Sequence, residues 1–230
     1  MDNNADNTVA PDGPAHSATE SGVRLTREDW VRAALQIFAE KGIDAVRIEP
    51  LAQSLKVTKG SFYWHFKNRR ELHQAIIDHW SRRCTSAITR CLREEHDIIA
   101  VVLNVFAMWM RDEPFSPRLD AAMRDWARRS DNVRQAVLQA DYDRTRAIAR
   151  VFERAGYPQE SALIRARILY FGQIGYYEAN LQESRAVRID LWREYVKVIT
   201  GLDLSQERLT AFRDQHFTAE ELRETTLLPL

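Results

Sequence analysis

"LAQSLKVTKGSFYWHFKNRR", residues 51–70, sets Phe62, Tyr63, Trp64 and Phe66 directly beside Lys67, Arg69 and Arg70. A core segment does not end in a basic cluster, and a solvated surface does not carry so many rings. Projection as a helix at about 100° per residue resolves the conflict. Phe62 and Phe66 fall together, flanked by Tyr63 and Lys59, while Gly60, Ser61, Trp64 and His65 occupy the opposite half. The phenylalanines then hold the helix down, and Trp64 and His65 stand outward. Gly60 and Ser61 let that end approach a surface closely, where free N–H groups and the helix dipole favour phosphate. Tyr63 is open to two readings, a half-buried ring with its hydroxyl outward or a phosphate donor.

Working outward, nearly every segment has helical period and none alternates as a strand. The spacing predicts a first helix opening at Thr26, with Asp29 completing a capping box, and ending at Gly42. A second short helix covers about 47–55, with Pro50 in its first turn, and Lys56-Val57-Thr58 turns the chain. The third helix runs from about Lys59 to Phe66, and a fourth starts at the cap Asn68 and continues to about Leu92. Further helices are expected near 97–112, 117–130, 132–155, 158–183 and 185–201, with a short terminal one capped by Thr218 and Glu221. The expected fold class is all-α.

A short helix, a tight turn and a second helix make a helix-turn-helix, whose second helix enters the major groove N-terminus first. Basic residues after it, Lys67 among them, neutralise phosphates beside the groove. The net charge of zero agrees once it is divided. Residues 1–23 hold four acidic and no Lys or Arg residues, whereas residues 24–83 hold twelve basic and seven acidic ones, a local excess of +5. Such a local excess suits a domain that meets an anion.

At this point the stretch resembles the DNA-binding domain of the tetracycline-repressor (TetR) family of bacterial regulators. The resemblance rests on Gly42, Leu51-Ala52, Val57-Thr58, Tyr63-Trp64-His65-Phe66, Arg69 and Leu72. It implies a three-helix DNA-binding domain over 24–80, with the helix-turn-helix at about 48–67, and a helical ligand-binding and dimerisation domain over 81–204. Residues 205–230 are a C-terminal extension and residues 1–23 a disordered acidic tail. By position, the resemblance implies that Thr58, Lys59, Gly60, Ser61, Tyr63, Trp64 and His65 face DNA and that Arg69 binds phosphate. Two positions depart from the family pattern. Lys56 stands where the turn often holds Gly, a left-handed position that costs about 1–2 kcal/mol. Arg47-Ile48-Glu49-Pro50 replaces the usual phosphate-binding threonines; Arg47 could take over that contact, while Glu49 would repel phosphate.

The later helices give weaker signals. Gly172, Gly175 and Ala179 form a flat stripe suited to close packing, either against a second subunit or against a helix of the same chain. Trp109, Trp126, Tyr142, Tyr170, Tyr176 and Tyr177 are candidate pocket residues as well as candidate core. Cys84 and Cys91, seven apart on one helix, lie about 10 Å apart and cannot pair, which suits a reducing cytoplasm. There is no secretory signal and no run of apolar residues of membrane-spanning length.

No phosphate loop, His-Glu-x-x-His, Cys-x-x-Cys or Gly-x-Ser-x-Gly occurs, and the six histidines have no ligand spacing. The reading is therefore not an enzyme, with no metal and no cofactor. The resemblance implies a cytoplasmic, homodimeric, ligand-responsive repressor that leaves a palindromic double-stranded DNA operator when a small-molecule effector binds. A helical protein-interaction module, or a constitutive regulator without a ligand, is the competing reading.

Overall fold

The computed structural model describes residues 25–92, 97–111, 116–179, 181 and 183–223. The tail expected to be disordered, 1–23, lies outside the described residues.

Helix α1 (Arg27–Lys41) opens on the expected capping box, the Thr26 hydroxyl accepting from the Asp29 amide and the Asp29 carboxylate from the Thr26 amide. Gly42 ends it at a φ of 76°, and a 3-10 turn (Ile43–Ala45) leads into α2 (Ile48–Ser54). The turn after α2 is a Schellman motif: Lys56 N–H donates to Gln53 O at 3.0 Å and Val57 N–H to Ala52 O at 2.9 Å. Lys56 occupies its left-handed position at a φ of 55°, the conformation the sequence implied at an unfavourable residue. Helix α3 (Lys59–Phe62) is a single turn, shorter than the expected span to Phe66, and residues 63–65 continue as turns.

Phe62 and Phe66 are buried and stacked 5.2 Å apart, with the Trp30 ring edge-on to Phe62 at 5.4 Å. Burial of each ring contributes about 1.5–3 kcal/mol, which anchors α3 to α1. Asn68 caps α4 (Arg69–Cys91), accepting from Glu71 N–H at 3.0 Å. Both cysteines are free, and burial pushes the Cys84 thiol up to about 12, so it is not a reactive thiolate at neutral pH.

Helices α5 (Ile98–Trp109), α6 (Pro117–Ala127), α7 (Asp131–Arg154) and α8 (Gln159–Glu178) follow. The helix expected over 185–201 is divided at Leu191 into α9 (Arg185–Asp190) and α10 (Trp192–Thr200). Residues read as an extension form α11 (Gln206–His216) and α12 (Ala219–Arg223), seated by buried Leu209 and Phe217. Helix α7 packs along α8, α4 and α6, and α6 also lies against α1. Thus α4 and α6 both join the N-terminal unit to the rest.

Four charged side chains sit where these helices meet. Arg124 forks onto Asp141 at 2.8 and 3.0 Å and reaches Asp120 at 2.9 Å. Arg144, fully buried, donates to Asp120 at 3.1 Å and to the Tyr170 hydroxyl at 3.0 Å. Tyr170 donates to Asp141 at 2.7 Å, and the Trp80 indole N–H donates to Asp120 at 3.1 Å. Two arginines balance two aspartates, and the cluster ties α4, α6, α7 and α8 together. Asp120→Ala should cost about 3–5 kcal/mol in urea unfolding, because it strands buried positive charge; a loss below about 1 kcal/mol would show the cluster to be incidental.

A second junction links the 3-10 turn, α4 and α6. Arg69 Nη2 donates to Ile43 O at 3.0 Å and its Nε to His73 Nε2 at 3.1 Å, while the His73 ring stands edge-on to Trp126 at 5.3 Å. That bond requires a neutral imidazole. Burial first, and Arg69 second, lower the His73 pKa to about 4, against a smaller opposing effect of Asp44. Since the folded-state value lies below the unfolded one of about 6.5, stability is retained above that pH and lost as pH falls toward 4. The Tm should therefore drop more between pH 7 and pH 4.5 in the parent than in His73→Gln, whose amide oxygen still accepts from Arg69. Equal drops would remove His73 from the acid response.

Candidate functional site

The outward side of α3 and its following turn is a small platform on a buried base. Trp64 is 86% exposed, with no described residue covering it, and Tyr63 is 53% exposed with its ring edge against Phe62. Thr58, the N-cap residue, makes no side-chain capping bond, so its exposed hydroxyl is available outward. Gly60 is exposed, and a methyl group there would meet only the Thr58 hydroxyl at 3.7 Å. Ser61 and His65 are half-buried, and the His65 ring lies 6.4 Å from Trp30. Lys67 is exposed, its backbone N–H held by Glu71 at 2.8 Å. The predicted DNA-facing residues Thr58, Gly60, Tyr63 and Trp64 are thus brought to one surface.

Three expected phosphate contacts are modified. Lys59 is ion-paired with Glu49, the acid that the sequence placed awkwardly on α2. The shared hydrogen bond lowers the Glu49 pKa and raises that of Lys59, so both stay charged and largely cancel. Arg69 is not presented outward: its guanidinium is spent on Ile43 O and His73, as described above. Arg47 is exposed at the N-cap of α2, with Nε donating to Asp44 O at 3.1 Å. A one-turn α3 also aligns few peptide dipoles, so the backbone contribution to phosphate binding is smaller than a longer helix would give.

Of the six aromatic candidates for a ligand pocket, Tyr176 lines a cavity and the other five do not come together in one. Trp126 packs on Phe38 at 5.5 Å and on His73, at the junction with the N-terminal unit. Tyr170 belongs to the charged cluster, where burial raises its pKa. Tyr142 is 62% exposed, Trp109 is core, and the Tyr177 hydroxyl donates to Trp109 O. Rings spaced along different helices point to different faces, which spacing in the sequence does not resolve.

A cavity of about 170 Å³ lies instead between α5, α8, α9 and α10. Phe106, Tyr176, Trp192 and Tyr195 form its aromatic wall, and Arg188 and Gln173 supply its buried polar groups. The sequence reading missed both; their signal was a charge or amide at an otherwise apolar stripe position. The same signal marks Asp120, Arg124, Asp141 and Arg144. No group of three His, Cys, Asp or Glu side chains suited to a metal occurs among the described residues, and none of the described helices is long and apolar enough to cross a membrane.

The stripe of Gly172, Gly175 and Ala179 is exposed and is not packed under any of the described residues. A methyl group at Gly172 or Gly175 would meet nothing within 4 Å. The stripe continues an exposed apolar face through Ile164, Ile168 and Phe171 on α8, beside Leu191, Tyr195, Val198 and Leu202 at and around α10. Helix α8 is therefore apolar on two sides, one turned to the core and one to solvent.

Residues 31–76 match the model of the bacterial regulatory proteins of the tetR family. The chain is 32% identical over 82 residues to the HTH-type transcriptional regulator TtgR of Pseudomonas putida, covering 36% of this chain and 33% of that protein. It is 43% identical over 53 residues to the class D tetracycline repressor protein of Escherichia coli, covering 23% of this chain and 24% of that protein. These matches span a third or less of each relative's length. A transcriptional regulator from Rhodococcus sp. Rha1 superposes with a TM-score of 0.57 at 14% identity, over 89% of this chain and all of the other, a likeness of fold alone. The matched residues 31–76 coincide with the helix-turn-helix on its buried Phe62–Phe66 base, and that segment is similar to the bacterial regulatory proteins of the tetR family.

Proposed function

We propose that the chain is a sequence-specific, double-stranded-DNA-binding transcriptional repressor, acting in the cytoplasm as a homodimer and released from a palindromic operator by a small molecule. The observation that carries this reading is Trp64, 86% exposed on a turn whose flanking Phe62 and Phe66 are buried. A large ring held out rigidly, with Thr58, Gly60, Tyr63 and Lys67 around it, suits base-edge and phosphate contact in one groove. Its similarity to a tetracycline repressor and to an HTH-type transcriptional regulator favours the same class.

One recognition unit reads few base pairs, so a palindrome calls for two, about 34 Å or a multiple apart. The exposed apolar side chains of α8 and α10 suit a second copy, because contiguous apolar residues left in water favour association and a two-fold interface can bury the same patch on both copies. Among the described residues nothing lies within 4 Å of a methyl group at Gly172 or Gly175, which supports the reading in which a partner subunit covers them. Release by an effector requires that the ligand favour the state not bound to DNA; a full switch needs about 5.5 kcal/mol of differential affinity, shared between two sites in a dimer.

Trp64→Ala should leave the thermal melt unchanged and cost about 1–3 kcal/mol of operator affinity. Glu49→Gln frees Lys59 for phosphate and should steepen the salt dependence of binding by up to about one unit of log–log slope. Electrophoretic or anisotropy titrations against DNA upstream of its own gene, over a salt series, measure both. Parent-like binding by both variants would dismiss this face as the DNA surface. Gly175→Leu places a side chain only on the exposed face, so it should give folded monomers by light scattering that no longer hold the operator; a dimeric variant would move the interface elsewhere.

A further inference from the structure

The cavity between α5, α8, α9 and α10 has a chemical bias of its own. Its walls are Phe106, Tyr176, Trp192 and Tyr195 with aliphatic Leu169 and Ile199, and its volume of about 170 Å³ exceeds the roughly 150 Å³ that admits benzene in an engineered apolar cavity. A single ring with a short substituent fits. Two buried polar groups face this space. Arg188 is 8% exposed, stacks its guanidinium on Tyr176 at 4.0 Å, and donates to Gln173 Oε1 over a long 3.4 Å. Among the described residues no carboxylate lies within ion-pairing distance of it. Gln173 is 9% exposed, and its amide nitrogen has no hydrogen-bond partner.

A buried guanidinium without a paired carboxylate is costly, as is an orphaned amide donor. Burial lowers the Arg188 pKa, the direction expected of a cation whose solvation has not been replaced. Glu183 is also in the wall, but its carboxylate accepts from the Tyr176 hydroxyl and only partly offsets Arg188 from a distance. One ligand group satisfies both orphans together: a planar carboxylate, which the guanidinium fork holds through two parallel bonds while the amide donates to a remaining lone pair.

We propose that this cavity binds a small aromatic monocarboxylate, its acid group on Arg188 and Gln173 and its ring among Phe106, Tyr176, Trp192 and Tyr195. The site does not depend on the regulator reading; only its effect on DNA does. Ile168, Gly172, Leu191 and Tyr195 belong both to the cavity wall and to the exposed apolar face, so a ligand here lies directly behind the surface proposed to meet the second subunit.

The test is calorimetric titration of the full chain with phenylacetate and with its uncharged isostere phenylacetamide, alongside operator binding. Phenylacetate should bind at least tenfold more tightly than phenylacetamide. Arg188→Met, which keeps the stem and removes the charge, should erase that preference by weakening the acid alone. Should Arg188→Met fail to fold by circular dichroism, Glu183→Gln serves in its place and should raise acid affinity severalfold. Equal affinity for acid and amide, no binding of phenylacetate at millimolar concentration, or an unchanged or weakened acid affinity in Glu183→Gln would overturn the assignment. Acid binding that follows these substitutions while operator affinity stays constant would uphold the site and defeat the release mechanism instead. Operator release by another compound that persists in Arg188→Met would uphold release and place its ligand elsewhere.

Discussion

Asp120, Arg124, Asp141 and Arg144 put two full positive and two full negative charges in an interior where an unpaired ion costs several kcal/mol. They are tolerable only in an arrangement that pairs all four, with the Tyr170 hydroxyl and the Trp80 indole adding further bonds and one Arg144 nitrogen, Nη2, left without a partner. An apolar core would accept many small displacements of α4, α6, α7 and α8; this one does not, because a shift of an ångström or two in any helix strands a charge. The direction of α4 is thereby fixed at its middle, and α4 begins at the end of the recognition turn. Helix α6 carries the same constraint by a second route, since Trp126 at its far end rests on Phe38 of α1 and on His73 of α4.

Helix α8 brings the proposed ligand site, the charged cluster and the exposed apolar face onto one rigid element. Tyr170 and Gln173 are three residues apart on its inward side, one in the cluster and the other in the cavity wall. On its outward side Ile168 and Gly172 border the cavity mouth. A displacement of α8 to seat a ligand would therefore bear on the packing of α4 and on any partner subunit at once. An element with two opposed states is the physical requirement for such a device, and a charged cluster that resists gradual deformation supplies a discrete one.

The side proposed to face DNA is restrained in charge. Pairing of Lys59 with Glu49 withdraws one cation from the outward surface, and Arg69 is committed to holding the 3-10 turn against α4. Long-range attraction to phosphate is thus modest, and a larger share of recognition falls to shape and to the exposed rings Tyr63 and Trp64.

Much of the helical outline was legible in the sequence because it is written locally. Thr26 with Asp29, Asn68 before Glu71 and Thr218 with Glu221 satisfy orphan backbone groups within three residues, so their meaning does not depend on the rest of the chain. The division of the opening stretch was equally local: a 3.6-residue period separates Phe62 and Phe66 from Trp64 whatever lies beneath. The family resemblance rested on that same short stretch. Tertiary structure alone decided the partners of the charged and amide side chains. Arg144 meets Thr85 of α4 and Asp120 of α6, and Arg188 meets Gln173 fifteen residues away. Whether Trp126 lines a cavity or wedges two helices, and whether Gly175 faces a neighbour or solvent, depends on the rotation of one helix about its axis relative to another. Periodicity gives the stripe on each helix but not the crossing angle between them, and burial of a charge is determined only when several helices close around it.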